Sequence, residues 1–412
     1  MTEMLFASQQ GRNIPKEDKI FGINNRAKAM IAKEGKDKVV NATLGALLDD
    51  KGDLIVLSSV TEVFRNLAPA EFAEYAPIAG TPAFREAVKK DCFRNYEPKG
   101  FVEVVAAPGG TGAIKNAVAN YADRDSKILF ADWFWAPYRS IAEEMGKGFE
   151  TFTFFNEERK FNIASFEEKV KALLQVQDRL LVILNTPAHN PTGYALTEED
   201  WKGVKEVFGR TPSDKKITLL VDTAYIDFAG DEDEYRSYLP VLEEMPGHVL
   251  TLIAHSLSKA YTLYGMRCGA TICIAKDKAV ADEFKQVCEF SSRSTWSNCA
   301  KAPQVILTKI YDDPQLRDRV FEERKQHRDM LISRAKAFEA AAAECGLVTV
   351  PFDTGFFVSV PCEQPDAVCA KLEEEGIFLI PLAKGIRVSI ASVAENICRM
   401  LPARIKAAMD SL

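Results

Sequence analysis

Lys259 stands in Ala254-His-Ser-Leu-Ser-Lys-Ala-Tyr261, directly after the apolar run 249–253, and Arg267 follows eight residues later. A lysine on a surface helix has polar neighbours and no fixed relation to an arginine. This one sits in a short Ser-rich turn between that strand-like run and a second, 268–275. Desolvation close to another cation is what lowers an amine's pKa and lets it form a Schiff base with a carbonyl. Ser-x-x-Lys strings are also common by chance, and a solvated lysine that stays charged is the plainer alternative.

Four further segments follow apolar runs in the same way. After 102–106 comes Ala107-Pro-Gly-Gly-Thr-Gly-Ala113, which runs straight into a helical pattern. Its glycines free backbone N–H groups to point at one spot, and a helix N-terminus adds positive potential, so Gly110 and Thr111 suit a phosphate. The spacing fits neither the Walker nor the dinucleotide pattern, and a tight strand-to-helix turn explains it equally well. After 128–131 come Trp133 and Trp135, either able to stack on a planar ring or simply to fill the core. Asn190 lies in Asn185-Thr-Pro-Ala-His-Asn-Pro-Thr-Gly193, where the prolines fix a polar loop that can hydrogen-bond a ligand or form an ordinary Asn-Pro turn. Asp222 ends the run 217–221, with Tyr225 three residues on. A carboxylate there is costly without a cation, so it calls for a protonated ligand nitrogen, a distant arginine or a helix N-terminus.

The frame for these residues is an alternation of short β-branched runs with amphipathic stretches. The runs 102–106, 128–131, 149–155, 180–184, 217–221, 249–254 and 270–275 read as buried strands, and 111–121, 165–175 and 197–208 as helices. Ser165-Phe-Glu-Glu168 and Thr197-Glu-Glu-Asp200 have the form of capping boxes. The pattern predicts an α/β fold, a mostly parallel seven-stranded sheet sandwiched by helices, with ligands at the C-terminal strand ends. Past residue 312 the texture changes to a long charged helix (315–345), strand-like 347–350 and 355–360, a helix over 365–376, two further strands and a terminal helix. We therefore expect a large domain over 49–315 and a small α+β domain over 316–412, which the segment 1–48 joins in part.

Composition narrows the classes. The 412 residues carry a net charge of −7 and are 47% hydrophobic, enough for a large core. No basic block exists, which argues against nucleic acid as a partner. The first twenty residues mix charged and polar types and read as neither signal peptide nor membrane anchor. Nine cysteines without Cys-x-x-Cys pairing point to reduced thiols and a cytoplasmic protein, and four histidines without metal spacing point to no metal.

A phosphate cradle, an aromatic platform, a polar Asn, an acid, a tyrosine hydroxyl and a lysine together match the needs of pyridoxal phosphate. In this ordered set the chain resembles the fold-type I pyridoxal-phosphate enzymes, and within them the class I aminotransferases. The resemblance runs nearly full length through 41–52, 75–84, Pro108-Gly-Gly-Thr-Gly112, Trp135, Asn190-Pro-Thr-Gly193, Asp222-x-x-Tyr225, Ser256-x-x-Lys259, Arg267, Arg293 and Arg387. Arg293-Ser-Thr-Trp-Ser-Asn298 resembles the aspartate and aromatic aminotransferase branch most. The resemblance implies the pyridoxal-phosphate-dependent transferase-like fold and an amino-group transfer from aspartate, glutamate or an aromatic L-amino acid to a 2-oxo acid such as 2-oxoglutarate. It assigns Lys259 as the Schiff-base amine and proton carrier, Asp222 to the ring nitrogen, and Tyr225 and Asn190 to the phenolic oxygen. Trp135 is implied to stack on the ring, and Gly110, Thr111, Ser256 and Arg267 to hold the phosphate, with Tyr75 reaching it across a homodimer. Arg387, helped by Gly45 and Asn190, is implied to grip the substrate α-carboxylate as a fork, and Arg293 from a second subunit to bind a distal carboxylate.

Three departures stand out. Tyr138 occupies the place where the branch usually has a histidine supporting the acid, Trp296 replaces a smaller ring, and Ala46-Leu-Leu48 replaces a more polar stretch. A more apolar mouth favours aromatic side chains, so both substrate classes stay open. A carbon–sulfur β-lyase would share Lys259, Asp222 and Arg387, but has no use for Arg293. An aminotransferase-like regulator would need a DNA-binding segment, and a nicotinamide-dependent dehydrogenase a different glycine spacing.

Overall fold

The computed structural model describes residues 6–7, 14, 17–230 and 234–412, so most of the start of the 1–48 segment lies outside the described residues. The chain divides into two compact units. One comprises 56–187 and 196–325; the other comprises 1–55, 188–195 and 326–412.

The first unit is built on seven strands, each an apolar run of the sequence: β1 Phe101–Ala107, β2 Lys127–Ala131, β3 Gly148–Phe152, β4 Arg179–Asn185, β5 Lys216–Asp222, β6 Val249–Ser256 and β7 Gly269–Ala275. Their order across the sheet is β1-β7-β6-β5-β4-β2-β3. All run parallel except β7, which is antiparallel to β1 and β6. Residues on both faces are buried, as continuous Val/Ile/Leu runs require. One core cluster gathers Val105, Ile128, Phe130, Ile183, Leu220 and Leu252 with Ile114 and Val118 of the helix Gly109–Tyr121. Register decides what meets at the strand ends. Asn185 pairs with Asp222, Asp222 with Ala254, Ser256 with Gly269, and Gly269 with Ala107. Because β7 runs backwards, its beginning, just after Arg267, lies in the same row as the ends of β1, β4, β5 and β6.

Two local expectations are corrected in this unit. The helix Ile163–Val176 is capped by Asn162, whose side chain accepts from the Ser165 N–H at 3.0 Å, so Ser165 does not open a capping box. The Ser165 hydroxyl instead accepts from the Thr153 N–H. The run 149–155 stays a strand only to Phe152, since the Phe154 N–H leaves the ladder for the Asp132 carboxylate. The box at Thr197 and Asp200 is present, opening Glu198–Gly209.

The second unit holds the helix Lys19–Glu34 and a parallel pairing of Val40–Asn41 with Ile377–Phe378, which ties the N-terminal segment in. An antiparallel sheet of β8 Phe357–Pro361, β9 Ile380–Leu382 and β10 Gly385–Ser389 has the order β9-β10-β8. Helices Pro365–Glu374 and Glu395–Asp410 cover a core of Val358, Val360, Leu372, Ile386, Val388 and Leu401. The helix Pro314–Cys345 contributes 314–325 to the first unit and 326–345 to the second. The expected strand at 347–350 is absent: only Val350 donates to Ser359, at 2.9 Å, and Pro351 stops the ladder there.

Candidate active site

Within the first unit, the turns after β1, β5 and β6 bring their polar residues together. Lys259 lies in the short helix Leu257–Ala260, which Ser256 caps by accepting from the Ser258 N–H at 3.3 Å. The ammonium sits 5.5 Å from the Tyr225 ring centre and 4.7 Å from that of Tyr264. Two aromatic faces thus flank the amine. Tyr264 escaped the sequence reading; its one signal was the spacing Lys259-x-x-x-x-Tyr264 ahead of Gly265.

Asp222 closes β5 and is fully buried. Its carboxylate accepts from the Tyr138 hydroxyl at 2.6 Å and from the Ala224 N–H at 3.1 Å. Both donors are neutral. Burial pushes the Asp222 carboxyl up from its ordinary range, and the two hydrogen bonds only partly offset this. Trp135 is half-buried and meets the Tyr138 ring edge-on, centroids 5.6 Å apart, whereas Trp133 is a core residue.

Where β1 ends, Gly109 takes a φ of 75° and opens the 13-residue helix Gly109–Tyr121. A Cβ there would lie 2.7 Å from an Arg267 guanidinium nitrogen, and one at Gly110 would lie 3.4 Å from the Ser256 Cβ. Arg267, itself at φ 50°, donates to the Ser258 hydroxyl at 3.0 Å and to the Tyr264 carbonyl at 2.9 Å. First-turn N–H groups at Gly110 and Thr111, the Ser256 hydroxyl and a fixed guanidinium thus surround a space that glycine leaves clear. That cradle fits a phosphate, and the buried Asp222 with only neutral donors fits a protonated ring nitrogen. The residues present therefore fit pyridoxal phosphate.

Within the second unit, Arg387 lies mid-strand in β10, buried, with its guanidinium over the Phe357 ring at 4.4 Å. It donates to the Asn190 side-chain oxygen at 3.1 Å and to the Thr43 carbonyl at 2.7 Å. Thr43 in turn donates to Asn41 at 2.6 Å, and Asn41 to Asn24 at 3.0 Å. Gly45 follows Leu44, whose carbonyl accepts from Ser389 at 2.6 Å, two residues from Arg387 in the same strand. So Asn190, Arg387 and the 43–45 loop form a second cluster. Tyr75 and Arg293 join neither: both are exposed on the first unit, Tyr75 at 90%, and Arg293 is tied to Ser297. Trp296 packs with the Lys115 ammonium 5.7 Å from its ring. Among the described residues no group of His, Cys, Asp and Glu could hold a metal ion.

Residues 37–405 match the model of the family described as aminotransferase class I and II. An aminotransferase of Anaerococcus prevotii is 38% identical, superposes with a TM-score of 0.95, and covers 99% of this chain and 100% of its own. The mitochondrial aspartate aminotransferase of Arabidopsis thaliana is 26% identical over 339 residues, 80% of this chain and 75% of that protein. The aromatic-amino-acid aminotransferase of Paracoccus denitrificans is 25% identical over 304 residues, 73% of this chain and 74% of that protein. An aromatic-amino-acid aminotransferase of Burkholderia pseudomallei, solved covalently bound to pyridoxal phosphate, shares the fold at 22% identity and a TM-score of 0.80, covering 96% of this chain and 98% of its own. Matched by the family model along most of its length, the chain belongs to the class I and II aminotransferases, and its cofactor is pyridoxal phosphate.

Proposed function

We propose that this aminotransferase acts through Lys259, Asp222 and Tyr225, moving the amino group of aspartate, glutamate or an aromatic L-amino acid to a 2-oxo acid such as 2-oxoglutarate. The observation that carries the assignment is Asp222, a buried carboxylate with neutral donors only, in the strand-end row that also holds Ser256 and leads to Lys259. Pyridoxal phosphate, when bound, supplies the electron sink that makes a Cα–H bond labile. Lys259 would hold it through its Nζ and, when free, would carry the Cα proton; Asp222 would keep the ring nitrogen protonated; Tyr225 and Asn190 would donate to the phenolic oxygen, and Trp135 would lie against the ring. Gly110, Thr111, Ser256 and Arg267 hold the phosphate, while Arg387 grips the substrate α-carboxylate as a fork with Gly45 beside it.

Arg293 and Tyr75 are exposed in the single chain, as are Phe72 and Phe290, the latter at 77%. Such a surface suits a homodimer in which Tyr75 completes the phosphate site of the second copy and Arg293 receives a distal carboxylate there. No described helix is long and apolar enough to cross a membrane, and the nine cysteines, none in a disulfide, suit a reducing compartment such as the cytoplasm.

Single-turnover amino transfer from a panel of amino acids to the bound cofactor tests the substrate reading. Aspartate, glutamate or an aromatic amino acid is expected to react fastest; reaction confined to small or cationic amino acids would overturn it.

A further inference from the structure

We propose that Tyr138 is the positioning residue of the ring site, aiming the Asp222 carboxylate with its hydroxyl while its ring edge fixes Trp135. The inference rests on reading Asp222 and Trp135 as the two residues that meet the cofactor ring. Tyr138 stands in the first turn of the helix Pro137–Glu144, and its own N–H donates to the Trp135 carbonyl at 3.0 Å. That bond fixes the turn on which both rings stand. Phe130, at 5.7 Å, and Trp135, at 5.6 Å and 86°, pack against the phenol ring, whose hydroxyl reaches Asp222. One rigid side chain thereby sets both the acid and the aromatic platform.

The hydroxyl matters because Asp222 has so little else. Apart from Tyr138, its donor is the Ala224 N–H. The titratable groups acting on Tyr138 are Asp222 and Tyr225, and burial beside Asp222 drives the phenol well above its ordinary range, so it remains a donor at every working pH. An imidazole in this place would gain and lose charge near neutrality; the phenol cannot. The donor side of the bond to Asp222 therefore does not change with pH.

A double-mutant cycle on pyridoxal phosphate affinity, read by titrating the apoprotein and following tryptophan fluorescence, tests this. Tyr138→Phe keeps the ring edge against Trp135 and removes the hydroxyl. It is expected to weaken the cofactor about 10- to 100-fold, the worth of a hydrogen bond to a charged group. In an Asp222→Asn background the same change is expected to add no more than about twofold, because its effect runs through Asp222. Additive losses, or no loss in the single variant, would overturn the proposal. An Asp222→Asn chain with unchanged affinity would instead show that the underlying ring-nitrogen reading is wrong, and the proposal with it. Should Tyr138→Phe fail to fold, Tyr138→His carries the test: the ratio of its cofactor affinity to that of wild type should then vary between about pH 5 and 8. A ratio that stays constant across that range also overturns the proposal.

Discussion

At Arg387 the guanidinium is shared between Asn190 and the Thr43 carbonyl before any substrate arrives. A lysine keeps the charge but not the planar fork. Arg387→Lys should therefore raise KM for every amino-acid substrate about 10- to 100-fold with a smaller change in kcat, as steady-state kinetics would show. A larger fall in kcat than rise in KM would contradict a binding role. Lys259, Asp222 and Asn190 stood out in the sequence because each followed a recognisable strand and broke its apolar pattern. Tyr138 stood out only as a departure from a resemblance, and Tyr264 and Ser258 were not singled out. The part of Tyr138 comes from its contact with Asp222, 84 residues away, for which spacing along the chain has no signal.

The turns that bear Tyr225 and Lys259 share a foundation of buried charge. Asp227, in the turn Ile226–Phe228 just after Tyr225, pairs with Arg94 at 2.9 Å, Arg236 at 3.1 Å and Arg324 at 3.2 Å. Asp91 pairs with Arg94 at 3.0 Å and faces the His255 ring nitrogen at 3.0 Å, one residue before Ser256. Two carboxylates thus hold three buried arginines, and loss of either leaves cations uncompensated. Asp227→Asn should cost about 3–5 kcal/mol in urea unfolding; a loss below 1 kcal/mol would show that the network is solvated or dispensable. Burial alone would push the Asp91 carboxyl up, but Arg94, His255 and Arg324 hold it well below the usual range. A depressed folded pKa adds stability above the unfolded value near 3.9 and loses it as pH falls. Unfolding midpoints should accordingly drop as pH is lowered from about 4, and less steeply in Asp91→Asn. All seven strands of the large sheet were legible as apolar runs, while the antiparallel sense of β7 and the Asn162 cap were not. Strand direction depends on connections, and a cap on one residue's choice between competing local hydrogen bonds.

Taken as a whole molecule, the reading needs a second copy of the chain, since Tyr75 and Arg293 are exposed and belong to neither cluster. Mixing Lys259→Ala chains with Arg293→Ala chains makes dimers in which one site of two has both residues. About a quarter of the wild-type dicarboxylate activity should return from two variants that are each inactive on dicarboxylates. No recovery, with exchange of subunits demonstrated, would mean that the site is not shared. The change of texture near residue 312 gave no sign that 188–195 belongs to the unit carrying Arg387, because that assignment depends on packing far from its neighbours in the chain. The most direct test of the whole account is covalent. Borohydride reduction of the protein with pyridoxal phosphate, followed by peptide mass mapping, should place the cofactor on Lys259 alone, and Lys259→Ala should take up no label and lose activity by about 10³-fold or more. A label on another lysine, or none in wild type, would contradict it.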